Sequence, residues 1–213
     1  MGQELRFGEC SGHYQNTPWN YEYGIKFMRL SSEMFTFASH KKYGYDLEYA
    51  AEVLEEAGRV AARLGYRVTT GSDQFTQLGS PRKEAVENTI RDLNDQNEML
   101  TRPKLPEQQD EDAVMILHMG DTFGLKEETR TRFRTNYARL SVGVKNRLML
   151  ENDEVSRSVH DFLPICQWLN IPLMLNFHHH NIIFDDNKVR ERTLDIMKYF
   201  PAIQVTWAQK IIT

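Results

Sequence analysis

Two cysteines, Cys10 and Cys166, are all that the 213 residues contain. They lie far apart and without metal-ligand spacing, which excludes a disulfide scaffold and fits a reducing compartment. No stretch comes near the roughly 18 uninterrupted apolar residues that a membrane-spanning helix needs, and the opening MGQELRFGECSGHYQN lacks the apolar run of a secretory signal. Membrane and secreted readings drop out. Positive charge is not in excess either: 26 Lys and Arg stand against 30 Asp and Glu, a net charge of −4 with pI about 6.0. That excludes coating nucleic acid by bulk charge but leaves a local basic surface open, and an acidic balance also suits carboxylates gathered round divalent metals. A Gly-rich dinucleotide fingerprint is missing after every candidate strand.

What the chain does have is alternation. With 40% hydrophobic and 26% charged residues and a mean hydropathy of −0.57, it is expected to fold as a single domain, 1–213, around one substantial core. Short apolar runs at Leu5–Gly8, Lys26–Leu30, Arg67–Thr70, Val114–His118, Arg147–Glu151, Pro172–Phe177 and Ala202–Trp207 read as strands, several of them near-continuous in Val, Ile, Leu and Met as doubly covered parallel strands are. Helical patterns fall between them. The clearest is Asp46–Leu64, whose apolar stripe ends at Gly65. Ser80-Pro81 opens a second helix that ends before Pro103, and Glu127–Leu140, Ser156–Leu169 and Lys188–Tyr199 follow. The polar Thr101–Asp112, with two prolines, reads as an exposed loop. Repeated βα units without the dinucleotide fingerprint favour an α/β, TIM-barrel-like (β/α) barrel, incomplete because seven runs leave the eighth strand missing.

In such barrels functional groups project from the C-terminal ends of strands. Here the later strands deliver His118, then Glu151-Asn152-Asp153, then Asn176 followed by a loop with three consecutive histidines, His178 to His180. His40, after the second strand, adds another imidazole. Imidazole with carboxylate suits zinc, manganese or iron. Such a site does Lewis-acid chemistry, either phosphodiester hydrolysis or aldose–ketose isomerisation, and strand-end His and Glu alone do not separate the two.

Longer strings do. FMRLSSEMFTFASHKKYGY at 27–45, QFTQLGSPRKEAVENTIRDL at 74–93, ILHMG at 116–120, RFRTNYARL at 132–140, LMLENDEVSRSVHDFLPIC at 148–166 and HHHNIIFD at 178–185 resemble, in order, the UV-damage endonuclease family of DNA-repair barrels. The resemblance implies an endonuclease that nicks double-stranded DNA immediately 5′ of ultraviolet photoproducts and other distortions, with a divalent metal, usually manganese and up to three ions, as cofactor. It implies His40, His118, Glu151 and His179 as metal ligands, with His118 and Glu151 at the catalytic centre, and Gln74 and Phe75 as the pair that probes the lesion. A wedge of that kind costs least where a photodimer has already weakened stacking. Damaged double-stranded DNA would be the partner, the chain a monomer, and its location the nucleus in a eukaryote or the cytoplasm in a bacterium. Arg82 and Lys83 are candidates for phosphate contacts, against a plainer role as a solvated helix start.

The chain also departs from the family pattern. Gly71-Ser72-Asp73-Gln74 stands where the family has HPGQ, Asn176 where it has aspartate, and Glu9 where it has tyrosine; Glu9–Thr17 diverges and the C-terminal lysine–histidine strand and later glutamate are expected to be cut away. Two further readings follow: a homologue that binds damaged DNA without turnover, and a sugar isomerase-like barrel.

Overall fold

The computed structural model describes residues 19–120, 124–185 and 195–210. The expected strand Leu5–Gly8, the divergent stretch at Glu9–Thr17 and most of the helix expected at Lys188–Tyr199 lie outside them. The fold is α/β, with five strands hydrogen-bonded in chain order, β1 (Phe27–Ser31), β2 (Arg67–Gly71), β3 (Val114–Leu117), β4 (Leu148–Glu151) and β5 (Leu173–Met174). Two compact units divide the chain, Met1–Asp73 with Ile90–Met115 and Gln74–Thr89 with Ile116–Thr213.

In the first unit β1 and β2 pair in parallel, from Phe27 opposite Arg67 to Ser31 opposite Gly71. The connection carries a 3₁₀ turn, Glu48–Ala50, and α1 (Ala51–Leu64), which ends on Gly65 in the left-handed conformation as its position predicts. Met34, Phe35, Ala38, Leu47, Ala50, Leu54 and Met99 close into one buried cluster. Leu47 and Ala50 of the 3₁₀ turn, Leu54 of α1 and Met99 of α2 (Lys83–Thr101) thus hold the loop after β1 from beneath. The polar stretch 101–112 is not simply a loop: α3 (Glu107–Glu111) forms within it. Its Gln109 amide donates to the carbonyls of Ala61 and Tyr66, so a residue that looks solvated satisfies the open end of α1.

In the second unit every residue of β4 is buried, as the unbroken LMLE run requires. α4 (Lys126–Tyr137), α5 (Val142–Arg147), α6 (Val159–Leu169) and α7 (Phe177–Ile182) surround it in sequence. β5 pairs in parallel with β4, Leu150 opposite Leu173 and Glu151 opposite Met174, and it is much shorter than the expected Pro172–Phe177 because Asn176 starts α7. The expected seventh strand, Ala202–Trp207, is helical, inside α8 (Phe200–Lys210). A short, largely apolar run does not by itself distinguish strand from buried helix, and here Ile203 and Thr206, three apart, form the buried stripe. The helix also does what a strand would have done. Leu173 donates its N–H to Thr206 Oγ1 at 3.0 Å and accepts from Trp207 Nε1 at 2.8 Å, so the outer edge of β5 is satisfied by side chains.

Asp92, Asp95 and Glu98 recur at helical spacing along α2. Burial, then Glu98 and Asp92, pushes the Asp95 carboxyl up to about 7 from its ordinary 3.8. A carboxyl raised in this way favours the folded state at acid pH and loses that contribution as pH rises through the folded value. Asp95→Asn is expected to raise the melting temperature at pH 8 and leave it almost unchanged at pH 4; equal shifts at the two values, read by calorimetry, would contradict this.

Candidate active site at the ends of three strands

β3 ends at Leu117 and hands on His118; β4 ends on Glu151 itself. Because β4 is buried throughout, the Glu151 side chain is only 4% exposed, and a carboxylate in such surroundings needs partners. Asn176 Nδ2 donates to its Oε1 at 2.8 Å. His118 Nε2 lies 3.6 Å from its Oε2 and His179 Nδ1 4.0 Å from its Oε1. The rings of His118 and His179 are 5.7 Å apart. No lysine or arginine among the described residues pairs with this carboxylate.

A reciprocal amide pair sets the spacing. Asn176 donates its N–H to Asn152 Oδ1 at 2.8 Å while Asn152 Nδ2 donates to the Asn176 carbonyl at 3.0 Å, so side chains carry the β4–β5 ladder two residues past its end. Asn176 Oδ1 then accepts from the N–H groups of His178 and His179, capping α7. The histidine run is therefore the first turn of a short helix and not a loop, and helical phase separates its members. His180 is buried, His178 is exposed, and His179 turns to the strand ends. His179 Nδ1 donates to the Asn152 carbonyl at 2.7 Å, which leaves Nε2 as the nitrogen with a lone pair, 3.3 Å from Glu154 Oε2. An imidazole oriented through one nitrogen by a backbone carbonyl is the usual preparation for a metal ligand.

Asp153 has a different task. Its Oδ1 accepts from the N–H groups of Val155, Ser156 and Arg157, folding the turn after β4. Glu154, which sequence reasoning passed over, is the acidic residue of that turn that reaches His179; its only signal was its place three residues beyond the strand end.

The donor set fits a divalent cation in its chemistry: two imidazoles, a buried carboxylate whose other partner is an amide, and a His118 Nδ1 that is buried without a hydrogen-bond partner. Among the described residues no three of His, Cys, Asp and Glu draw together into a closed metal cluster. Asn176 is committed to one donated side-chain bond and two accepted ones, so it acts as a spacer between Glu151 and α7.

His40 belongs to the first unit. Its Nδ1 accepts from the N–H groups of Lys42 and Tyr43, both at 3.1 Å, and its ring stacks on Tyr43. At Gly71, where an imidazole was missed in the sequence, the Arg29 guanidinium lies over the backbone, and a Cβ would meet Arg29 Nη2 at 1.7 Å. Gln74 and Phe75 begin the second unit. Phe75 is 74% exposed and is not part of the core. Its loop is pinned by Arg132 Nε to the Gly79 carbonyl and Asn136 Nδ2 to the Leu78 carbonyl, each 2.8 Å. Arg82 and Lys83 are exposed at the start of α2.

Residues 9–213 match the family model described as UV-endonuclease UvdE. The chain is 58% identical over 211 residues to a UV-damage endonuclease of Neurospora crassa and 54% identical over 195 residues to one of Schizosaccharomyces pombe. These alignments take in 98% and 92% of this chain but 32% of each relative, so it spans about a third of their length. The crystal structure of SacUVDE matches with TM-score 0.78 and 24% identity over 92% of this chain and 68% of its own. A D-psicose 3-epimerase from Clostridium cellulolyticum H10 matches at 0.55 and 14% identity over 81% and 60%. Both likenesses bear on the fold alone, and both are in line with the expected α/β architecture.

Asn176→Asp keeps the helix cap but turns the amide donor facing Glu151 into a second carboxylate. Like charges in contact in a buried place cost about 1–3 kcal/mol, so the metal-free variant is expected to melt several degrees lower and to regain more stability from manganese than the parent does. An unchanged metal-free melting temperature would contradict the placement of that amide.

Proposed function

The chain belongs to the UV-endonuclease UvdE family, and on that premise we propose that it acts as a metal-dependent DNA-repair endonuclease on double-stranded DNA, cutting a phosphodiester bond immediately 5′ of an ultraviolet photoproduct. The observation that carries the reading is the buried Glu151 carboxylate between the His118 and His179 imidazoles at the ends of parallel strands. His118, Glu151 and His179 would hold a divalent cation, manganese by the family resemblance, which when bound supplies Lewis-acid stabilisation of charge on phosphate and activation of water.

The remaining work falls to the chain itself. Asn176 fixes one Glu151 oxygen and leaves the other toward His118. Asn152 occupies His179 Nδ1, the nitrogen on the Glu151 side, so that Nε2, beside Glu154, is the one left to ligate. His40 lies in the first unit, its Nδ1 already accepting from two backbone N–H groups, and His118, Glu151 and His179 form the core of the set. Phe75, held outward on a pinned loop, suits insertion at a weakened base step, with Gln74 beside it as the polar partner of the probe. Arg82 and Lys83 are free to meet phosphate. One observation favours a second reading, lesion binding without turnover: the position of the family aspartate is an amide whose side chain is already used in three hydrogen bonds.

The test is a duplex with one defined pyrimidine dimer, incubated with and without manganese beside an undamaged duplex. The endonuclease reading expects a manganese-dependent nick directly 5′ of the dimer, lost in His118→Ala and Glu151→Ala and slowed roughly tenfold or more in Phe75→Ala. A folded chain that retards the dimer duplex on a gel and never cuts it would establish the second reading instead.

A further inference from the structure

The loop that joins β1 to α1 holds aromatic rings away from the core at visible structural cost. Met34, Phe35 and Ala38 anchor it in the buried cluster, yet Phe37 between them is 59% exposed and sits at φ 66°. A bulky L-residue in the left-handed region is strained, and such strain persists where the surrounding structure over-determines it. The surroundings do so here. His40 donates its N–H to the Phe37 carbonyl, Gly44 to the His40 carbonyl at 2.7 Å and Tyr45 to the Ala38 carbonyl, while the Tyr45 hydroxyl donates to the Thr36 carbonyl at 2.8 Å. Arg91 of α2 donates to the Ser39 carbonyl from below. Gly44 has no alternative, since a Cβ there would lie 2.6 Å from the His40 carbonyl oxygen.

The outcome is a short aromatic series. Phe37 meets His40 edge-on at 5.9 Å and His40 stacks on Tyr43 at 5.0 Å with 22° between planes; Tyr43 is 60% exposed. Lys41 and Lys42 flank it, both exposed, with the Lys42 ammonium 5.1 Å from the Tyr43 ring centre. Exposed aromatic rings beside exposed cations are what unstacked nucleobases and their phosphates require.

We infer that the loop from Ser31 to Tyr45 is a base-stacking platform, on which Phe37 and Tyr43, spaced by His40, receive an unpaired nucleotide of DNA while Lys41 and Lys42 meet the flanking phosphates. The choice of DNA as ligand rests on the endonuclease reading; the platform itself rests on the loop. Fluorescence anisotropy of the full chain would compare a duplex carrying a short undamaged central bubble with the same duplex fully paired. Phe37→Gly and Tyr43→Leu are each expected to weaken bubble binding roughly tenfold and paired binding less than about twofold, and 2-aminopurine in the bubble to lose its quenching. Phe37→Gly is also expected to keep or raise the melting temperature, because glycine takes the left-handed conformation without strain.

Equal bubble affinity in parent and Phe37→Gly, or equal losses on both duplexes, would overturn the platform, and Phe37→Gly decides the matter even if Tyr43→Leu unfolds. Bubble binding that depends on both residues supports the platform in a chain that nicks nothing. A chain that nicks dimer DNA while binding the bubble independently of both overturns the platform and leaves the endonuclease reading standing.

Discussion

A carboxylate at the end of a wholly buried strand constrains everything near it. Glu151 stands where β4 leaves the core, and an ionised group there must be compensated or neutralised. Its partners are an amide and two imidazoles, each brought in from a different element: His118 from β3, Asn176 from β5, His179 from the first turn of α7. Their positions are not independent. The Asn152–Asn176 pair locks the two strand ends together, Asn176 caps α7, and that cap turns His179 inward. One four-residue chain of hydrogen bonds thus sets both the distance of the imidazole and the nitrogen it offers.

A second constraint acts at the far side of β5. Among the described residues no further strand pairs with β5, and α8 meets the backbone groups of that edge. Thr206 and Trp207 satisfy the Leu173 peptide from a helix, which keeps β5 in register with β4 and so keeps Asn176 opposite Asn152. The short strand and the site depend on the same few bonds.

Much of this was legible in the letters, and the limits have physical causes. Apolar runs located β1 to β4 within a residue or two, and the two buried throughout, β3 and β4, left the fewest alternatives. The strand-end rule then named His118 and Glu151, whose side chains the structure sets 3.6 Å apart. The run at Ala202–Trp207 misled because so short and largely apolar a stretch satisfies either period, and the decisive feature, a threonine hydroxyl answering a strand edge, is tertiary. Asn before three histidines was a readable helix cap, hidden by the habit of treating a histidine run as a loop. Glu154 had no signal beyond proximity. Exposure of Phe75 and the strained turn at Phe37 were beyond any pattern, since an aromatic in sequence looks like core whether it is buried or held out.

The central claim is the proposal that the buried Glu151 carboxylate takes up a cation. Glu151→Gln removes the charge and keeps the shape and the bond from Asn176 through its amide oxygen. The claim predicts opposite signs in one pair of measurements: a higher melting temperature for the metal-free variant, and manganese affinity by calorimetry weaker by roughly tenfold or more. A variant that melts lower without metal, or that binds manganese as the parent does, would contradict it.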